Sequence, residues 1–205
     1  MMAKIKICGL SRPIDIDMAN EAHPDYIGFV FAGSRRQVSE EKALELKQRL
    51  RPEIPAVGVF VNEEPGTIIR LCQAGIIDLV QLHGDEDEAY LLELRKQIAK
   101  PVIKAIRVRT GEDIERAKAM SCDFLLLDAY REEEYGGSGI SFDWSVIKGM
   151  TKPFFLAGGI NIGNVNQAIT LTEPYCIDIS SGVETDGHKD GEKIRKIIEK
   201  VRSVR

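Results

Sequence analysis

Eight short apolar runs recur about every two dozen residues along this chain, and helix-like stretches separate them. We predict that the runs are β-strands, with bounds 3–8, 26–31, 56–61, 78–82, 101–106, 123–128, 153–157 and 175–179. Their Val, Ile, Leu and Phe content is typical of parallel strands that are covered on both faces. Strict alternation of strands and helices favours a parallel sheet with right-handed crossovers.

The stretches between the runs carry helix signals. Apolar residues three and four positions apart predict helices in the segments 43–50, 68–72 and 194–201. Residues of types that favour a helix start lie three or four positions before these segments, at Ser39, Pro65 and Asp190.

The 205 residues divide into eight strand–helix units, which fits a small closed (β/α)₈ barrel of the α/β class. The rival is an open doubly wound sheet, which places a G-x-G-x-x-G turn after its first strand. Here the first run is followed by Cys8-Gly9-Leu10-Ser11-Arg12, which lacks that pattern. Because no linker-like segment interrupts the alternation, we predict one barrel domain over residues 1–205.

The overall composition excludes several classes of partner. A net charge of −4 argues against binding to nucleic acid, which requires a basic surface. No apolar run approaches the ~18 residues of a membrane span, and no targeting stretch opens the chain. The four cysteines, at positions 8, 72, 122 and 176, lack the spacing of a metal or redox site. We therefore expect a cytoplasmic protein with free thiols and no metal or cofactor, and leave monomer and homodimer open.

Glycines and serines follow the last two runs. Gly158 and Gly159 come after the seventh, and Ser180, Ser181 and Gly182 come after the eighth. In a (β/α)₈ barrel these two loops often bind phosphate beside a helix N-terminus. Glycine lets backbone N–H groups approach an anion closely, and serine adds hydroxyl donors. The sequence therefore predicts a phosphate site here.

Two side chains with acid–base chemistry end the first and sixth runs. Because side chains alternate along a strand, Cys8 and Lys6 face the same side, and we expect both inside the barrel. A buried lysine needs a nearby carboxylate, and its charge would lower the thiol pKa. Asp128 has two open roles, as the partner of Lys6 or as a general acid. For Cys8, chemistry and simple packing are equally open.

Three further features lie at the same ends of the strands. Arg36 follows the second run, where its planar fork could bind a carboxylate. His83 follows the fourth run, and we favour a structural hydrogen bond over substrate contact. The Gly-containing loop 131–139 is either a lid or a solvated surface loop. Trp144 is expected to pack a helix onto the barrel.

Motifs along the whole chain resemble one family, that of phosphoribosylanthranilate isomerase. The matching segments are 6–12, 28–31, 34–36, 57–62, 81–86, 127–128, 136–139, 142–144, 156–160 and 177–184. They occur in order, and together they are highly specific, although short pieces such as Ala-Gly-Gly are not.

The resemblance implies an Amadori rearrangement of N-(5-phosphoribosyl)anthranilate to 1-(2-carboxyphenylamino)-1-deoxyribulose 5-phosphate, a step of tryptophan biosynthesis. It implies Cys8 as general base, Asp128 as general acid and Arg36 as the contact to the anthranilate part. It also implies Asp178, and more weakly His83, as substrate contacts. Family members often have proline before the arginine, where this chain has Arg35. The reaction needs no metal or redox cofactor.

Two other functions stay open from the sequence. One is a related phosphosugar barrel, either a thiamine-phosphate-type synthase or the histidine-pathway aminoaldose isomerase. The latter normally has aspartate at the position of Cys8. The other is a phosphoribosyl-binding barrel without catalysis.

Overall fold

Eight parallel strands form a closed barrel in the computed structural model, which describes residues 2–129, 144–147 and 149–204. The strands are β1 Lys4–Cys8, β2 Tyr26–Val30, β3 Ala56–Phe60, β4 Leu79–Leu82, β5 Val102–Val108, β6 Phe124–Ala129, β7 Phe154–Leu156 and β8 Cys176–Ile179. Each pairs with the next, and β8 pairs with β1 to close the barrel. The predicted barrel is confirmed, and every predicted strand end lies within two residues of the observed one.

Seven α-helices lie in the described part of the chain. They are α1 Pro13–Ala22, α2 Glu40–Arg49, α3 Pro65–Gln73, α4 Glu88–Arg95, α5 Gly111–Lys118, α6 Val165–Thr172 and α7 Gly191–Ser203. None of these described helices has the length and apolarity needed to cross a membrane.

The predicted helix starts are confirmed. The Ser39 side chain accepts a hydrogen bond from the Lys42 amide at 3.1 Å, and Pro65 is the first residue of α3. The Asp190 side chain accepts from two amides in the first turn of α7. These bonds satisfy N–H groups that have no partner within the helix.

Two connections carry short elements besides the seven helices named above. Between β6 and β7 the described residues form a single 3₁₀ turn, Trp144–Val146, in which Trp144 is buried as expected. The predicted lid loop, 131–139, lies outside the described residues. After β8 comes a hairpin that the sequence reading missed, formed by β9 Glu184–Thr185 and β10 His188–Lys189. Its turn is Asp186-Gly187, both with positive φ, a signal typical of tight hairpins.

Apolar side chains fill two layers, one inside the barrel and one between the barrel and its helices. Inside, the ring of Phe155 packs against the rings of Tyr26, Phe124 and Tyr175 at centroid distances of 5.6–5.8 Å. Lys4 donates a 2.9 Å hydrogen bond to the Tyr175 hydroxyl beside this cluster. These rings fill the amino-terminal end of the barrel, so its polar chemistry is concentrated at the opposite end.

Replacement of Phe155 by alanine should lower the free energy of unfolding by about 3–5 kcal/mol, because it leaves a cavity among rings that cannot collapse. Phe155 is fully buried, whereas Leu92 on α4 is 49% exposed. Leu92→Ala is the control and should change stability by less than about 1 kcal/mol. Urea unfolding measures both variants, and equal losses would contradict the assignment of Phe155 to the inner core.

Candidate active site

The ten residues that were predicted as catalytic, substrate-binding or phosphate-binding all line one cavity of about 540 Å³. They are Cys8, Arg36, His83, Asp128, Gly158, Gly159, Asp178, Ser180, Ser181 and Gly182. The cavity lies at the carboxyl ends of the strands, and every strand except β5 contributes to its lining, either directly or through the loop that follows it. This is the end at which (β/α)₈ barrels place their active sites.

A buried ammonium group lies beneath the cavity. Lys6 is fully buried and donates hydrogen bonds to Asp178 at 2.9 Å and to Gln81 at 2.7 Å. Burial alone would lower the pKa of Lys6, but the Asp178 carboxylate and the Cys8 sulfur together outweigh it and raise the pKa above its ordinary value. The expected carboxylate partner therefore exists, but it is Asp178 rather than Asp128. The register explains the choice, because Lys6 and Asp178 are direct neighbours in the β1–β8 pairing.

The Cys8 thiol lies above Lys6 and is almost fully buried. Its direct neighbour in the β1–β2 pairing is Gly28, where a Cβ atom would lie 2.7 Å from the sulfur. Glycine at that position therefore makes room for the thiol. Burial raises the pKa of Cys8, and the Lys6 charge offsets part of this rise. The prediction of a lowered thiol pKa is wrong, because the cost of burying the thiolate exceeds the attraction of the lysine.

Asp128, near the end of β6, is held by His83, the residue that follows β4. Its Oδ2 atom lies 3.2 Å from Nε2 of His83, and Gln81 contacts the other ring nitrogen at 2.8 Å. His83 therefore makes the structural hydrogen bonds that we favoured. Both His83 and Asp128 keep about a quarter of their side-chain surface exposed, and both face the cavity.

A second buried ion pair fixes the turn that carries His83. Lys104 from β5 donates to Glu86 at 2.7 Å, and both side chains are almost fully buried. Glu86 also accepts from the backbone amides of Gly84 and Asn62. The sequence reading missed this pair, although Lys104 interrupts an apolar run and so was a visible signal.

Arg36 reaches the cavity in a fixed orientation. Its Nε and Nη2 atoms donate to the two oxygens of Glu184 at 2.7 and 2.9 Å. The buried ammonium of Lys189 donates to the same carboxylate at 2.8 Å. Burial would raise the pKa of Glu184, but these hydrogen bonds from Arg36 and Lys189 outweigh it and lower the pKa to about 2. Arg35 also contacts Glu184, but its side chain is 57% exposed and it does not line the cavity.

Glu184 and Lys189 were not predicted as site residues. Both belong to the hairpin after β8, and Lys189 further donates to the backbone oxygen of Ser180 at 2.9 Å. Glu184 stands two residues after the predicted phosphate loop, so its position near the mouth was a usable signal. Lys189 had none, because it lies within a polar segment of ordinary appearance.

The candidate phosphate loops face each other across one side of the cavity. Gly158 and Gly159 have φ values of +86° and +67°, a conformation that turns successive N–H groups toward one side. A Cβ on Gly182 would overlap the backbone oxygen of Ile160, so the two loops touch only because residue 182 is glycine. The hydroxyl of Ser180 donates to the backbone oxygen of Cys8 at 3.1 Å. The backbone amides, rather than the Ser180 hydroxyl, are therefore the donors available to an anion.

In the described parts of the chain, no group of three or more His, Cys, Asp or Glu side chains is arranged to hold a metal ion. All four cysteines are buried, and none forms a disulfide. The polar groups that face the cavity are proton donors and acceptors and anion-binding groups.

The fold and the cavity define a (β/α)₈-barrel protein with a polar site at the carboxyl ends of its strands. The family model described as "N-(5'phosphoribosyl)anthranilate (PRA) isomerase" matches residues 5–200. The chain belongs to this family.

Individual relatives and solved structures point to the same family. An N-(5'-phosphoribosyl)anthranilate isomerase from Endomicrobium trichonymphae is 50% identical over 204 residues, which covers 100% of this chain and 99% of that protein. A crystal structure of phosphoribosyl anthranilate isomerase from Thermotoga maritima superposes with a TM-score of 0.87 at 38% identity, covering 98% of both chains. Another such structure, in complex with reduced 1-(o-carboxyphenylamino)-1-deoxyribulose 5-phosphate, gives 0.84 at 35% identity with 98% of both chains covered.

The ion pairs of Glu184 with Arg36 and Lys189 predict that the protein loses stability at acid pH. Because the pKa of Glu184 is about 2 in the folded protein and 4.5 is its ordinary value, the unfolded chain takes up a proton first as the pH falls. The stabilisation is complete above about pH 5 and is lost toward pH 2, by up to about 3 kcal/mol. Glu184→Gln should lose this part of the pH dependence.

Urea unfolding at pH 6 and at pH 3 measures the effect. Glu93→Gln is the matched control, because Glu93 is 58% exposed and pairs only with a surface lysine among the described residues. It should keep the acid sensitivity of the parent protein. Equal acid sensitivity in Glu184→Gln and the parent would contradict the buried ion cluster.

Proposed function

We propose that this chain catalyses the Amadori rearrangement of N-(5'-phosphoribosyl)anthranilate to 1-(2-carboxyphenylamino)-1-deoxyribulose 5-phosphate in tryptophan biosynthesis. Family membership over residues 5–200 carries the proposal. A single cavity that gathers a thiol, a carboxyl group, an arginine and two Gly-rich loops supports it. The family match disfavours the thiamine-phosphate and histidine-pathway alternatives and the non-catalytic barrel.

In this proposal Asp128 is the general acid and Cys8 the general base. Asp128 protonates the furanose ring oxygen, and the ring opens to an iminium ion. Cys8, as thiolate, removes the proton from C2′ and leaves an enolamine, which tautomerises to the ketone. The two groups come from β6 and β1, which are separated by two strands on one side of the barrel and four on the other. A sugar bound across the mouth can therefore lie between them.

Cys8 must lose its proton before it can act as the base, but burial raises the pKa of its thiol and so favours the protonated form. The positive charges of Lys6 and Lys189 both lower it again and so favour the anion. At neutral pH the resting thiol is protonated, so kcat/KM should rise with pH above 7.

The substrate's other groups find partners around the same cavity. Glu184 occupies the Nε and Nη2 donors of Arg36, so the Nη1 donors are left for the anthranilate carboxylate. The Oδ1 atom of Asp178 is buried without a hydrogen-bond partner among the described residues, and it suits a substrate hydroxyl. We assign the phosphate to the amides around Gly158, Gly159, Ser180, Ser181 and Gly182, where it anchors the substrate far from the reacting carbons.

We also infer that the chain acts as one barrel domain. Helix α7, which ends at Ser203, packs against α1 and β1, so the end of the described chain returns to its beginning. Monomer and homodimer, and a location in the cytoplasm, stay predictions from the sequence.

Cys8→Ala and Asp128→Asn should each lower kcat by about 10²- to 10⁴-fold, because each removes one proton-transfer group. Conversion of N-(5'-phosphoribosyl)anthranilate is followed by the loss of its anthranilate fluorescence. Cys72→Ala is the control, because Cys72 is a buried thiol on α3 outside the cavity. Normal turnover in both active-site variants, with the fold retained, would refute the acid–base assignment.

Arg36→Met should raise KM by roughly tenfold to a hundredfold, because a charge-assisted hydrogen bond contributes about 1.5–3 kcal/mol. Arg35→Met is the matched control and should change KM by less than about threefold, since exposed ion pairs contribute little. The same fluorescence assay at varied substrate concentration gives both constants. A larger rise for Arg35→Met would transfer the carboxylate contact to Arg35.

A further inference from the structure

Four side chains, from β1, β4, the residue after β4 and β6, form one hydrogen-bonded row that runs from below the cavity floor to its wall. Lys6 contacts Gln81 at 2.7 Å, Gln81 contacts His83 at 2.8 Å, and His83 contacts Asp128 at 3.2 Å. Gln81 is 1% exposed and is the polar exception in the apolar strand β4. The row joins the lysine below Cys8 to the carboxyl group of Asp128.

The direction of every hydrogen bond in the row follows from its first member. An ammonium group can only donate, so the oxygen of the Gln81 amide must face Lys6. The Gln81 NH₂ group then faces Nδ1 of His83, which must accept. A neutral imidazole with a bare Nδ1 carries its proton on Nε2 and donates it to Oδ2 of Asp128.

The amide cannot turn over to reverse this order. Lys6 is fully buried, and its other hydrogen bond is to the carboxylate of Asp178. A turned amide would place NH₂ against the ammonium, so that Lys6 would lose its second acceptor and the amide N–H would have none at that position in a buried site. The lysine therefore sets the orientation of Gln81, and through it the tautomer of His83.

We infer that Gln81 is a positioning residue, which holds His83 in its Nε2–H tautomer so that the imidazole orients the carboxyl group of Asp128. The catalytic consequence rests on the proposed role of Asp128 as general acid. With Oδ2 occupied by the imidazole N–H, Oδ1 is the atom that delivers the proton to the sugar ring oxygen. The N–H also stabilises the carboxylate that remains after delivery.

The row orients groups and does not conduct a proton, because its middle member is an amide. The other tautomer would set a nitrogen lone pair against Oδ2, so that Asp128 could keep the contact only by placing its own proton on Oδ2, away from the sugar, and the carboxylate would lose the contact once that proton had left. Gln81 touches neither the substrate nor the reacting atoms in this scheme. It would still affect kcat, because general acid catalysis depends on the position of the acid as well as on its protonation.

The direct test is ¹⁵N NMR of histidine side chains in the full-length protein at pH 8.5, where imidazoles are mostly neutral. The chain has three histidines, and His83→Gln identifies the signals of His83. The inference predicts the Nε2–H form for His83 in the parent protein. A dominant Nδ1–H form would overturn it, and this measurement needs no folded Gln81 variant.

Gln81→Glu provides the second test, because it replaces the NH₂ donor by an acceptor of the same size. A proton should then appear on Nδ1 of His83, and kcat should fall by about ten- to a hundredfold, part of the general-acid contribution, with KM changed by less than about threefold. Gln73→Glu makes the same change on the exposed end of α3 and should alter neither.

An unchanged tautomer in folded Gln81→Glu, or a loss confined to KM, would overturn the inference. The outcome is separable from the proposed function. If the parent protein shows the Nε2–H form but does not convert N-(5'-phosphoribosyl)anthranilate, the tautomer assignment stands and the proposed function fails.

Discussion

One buried charge organises the site. The ammonium of Lys6 lies inside the barrel without contact to water, and a group of this kind is tolerated only when it is paired and hydrogen-bonded. Asp178 supplies the countercharge and Gln81 supplies a further acceptor. Each partner then has a second consequence: Asp178 leaves Oδ1 without a partner among the described residues, and Gln81 turns its NH₂ group toward His83. The geometry of the cavity floor follows from this one requirement.

A second cluster of charges organises the opposite wall. Glu184 binds Arg36 and Lys189 together, and Lys189 contacts the backbone oxygen of Ser180. The Ser180 hydroxyl in turn binds the backbone oxygen of Cys8. The floor therefore serves proton transfer, whereas the wall presents an arginine and backbone amides to the anionic ends of a substrate. Both clusters act on Cys8, because the positive charges of Lys6 and Lys189 each lower the pKa of its thiol.

The barrel could be predicted from the sequence because the evidence for it is local. Each apolar run and each helix start can be recognised within a few residues. The sequence also predicted which residues reach the mouth, since those positions follow the strand ends. The partner of Lys6 could not be predicted, because it depends on the stagger between β1 and β8. The thiol pKa was misjudged because burial depth is a property of the assembled barrel. Gln81 could have been noticed as a polar residue within an apolar strand, whereas Lys189 depends on a hairpin that only the fold reveals.

The central claim is that Cys8 and Asp128 approach one sugar from opposite sides. The most direct measurement is a crystal structure of this chain with reduced 1-(o-carboxyphenylamino)-1-deoxyribulose 5-phosphate, the ligand present in a solved relative. The account predicts the Cys8 sulfur within about 3.5 Å of C2 and Oδ1 of Asp128 at hydrogen-bond distance from the oxygen on C4. It also predicts the phosphate at the Gly158-Gly159 turn. A ligand whose sugar carbons lie beyond the reach of both side chains would contradict it.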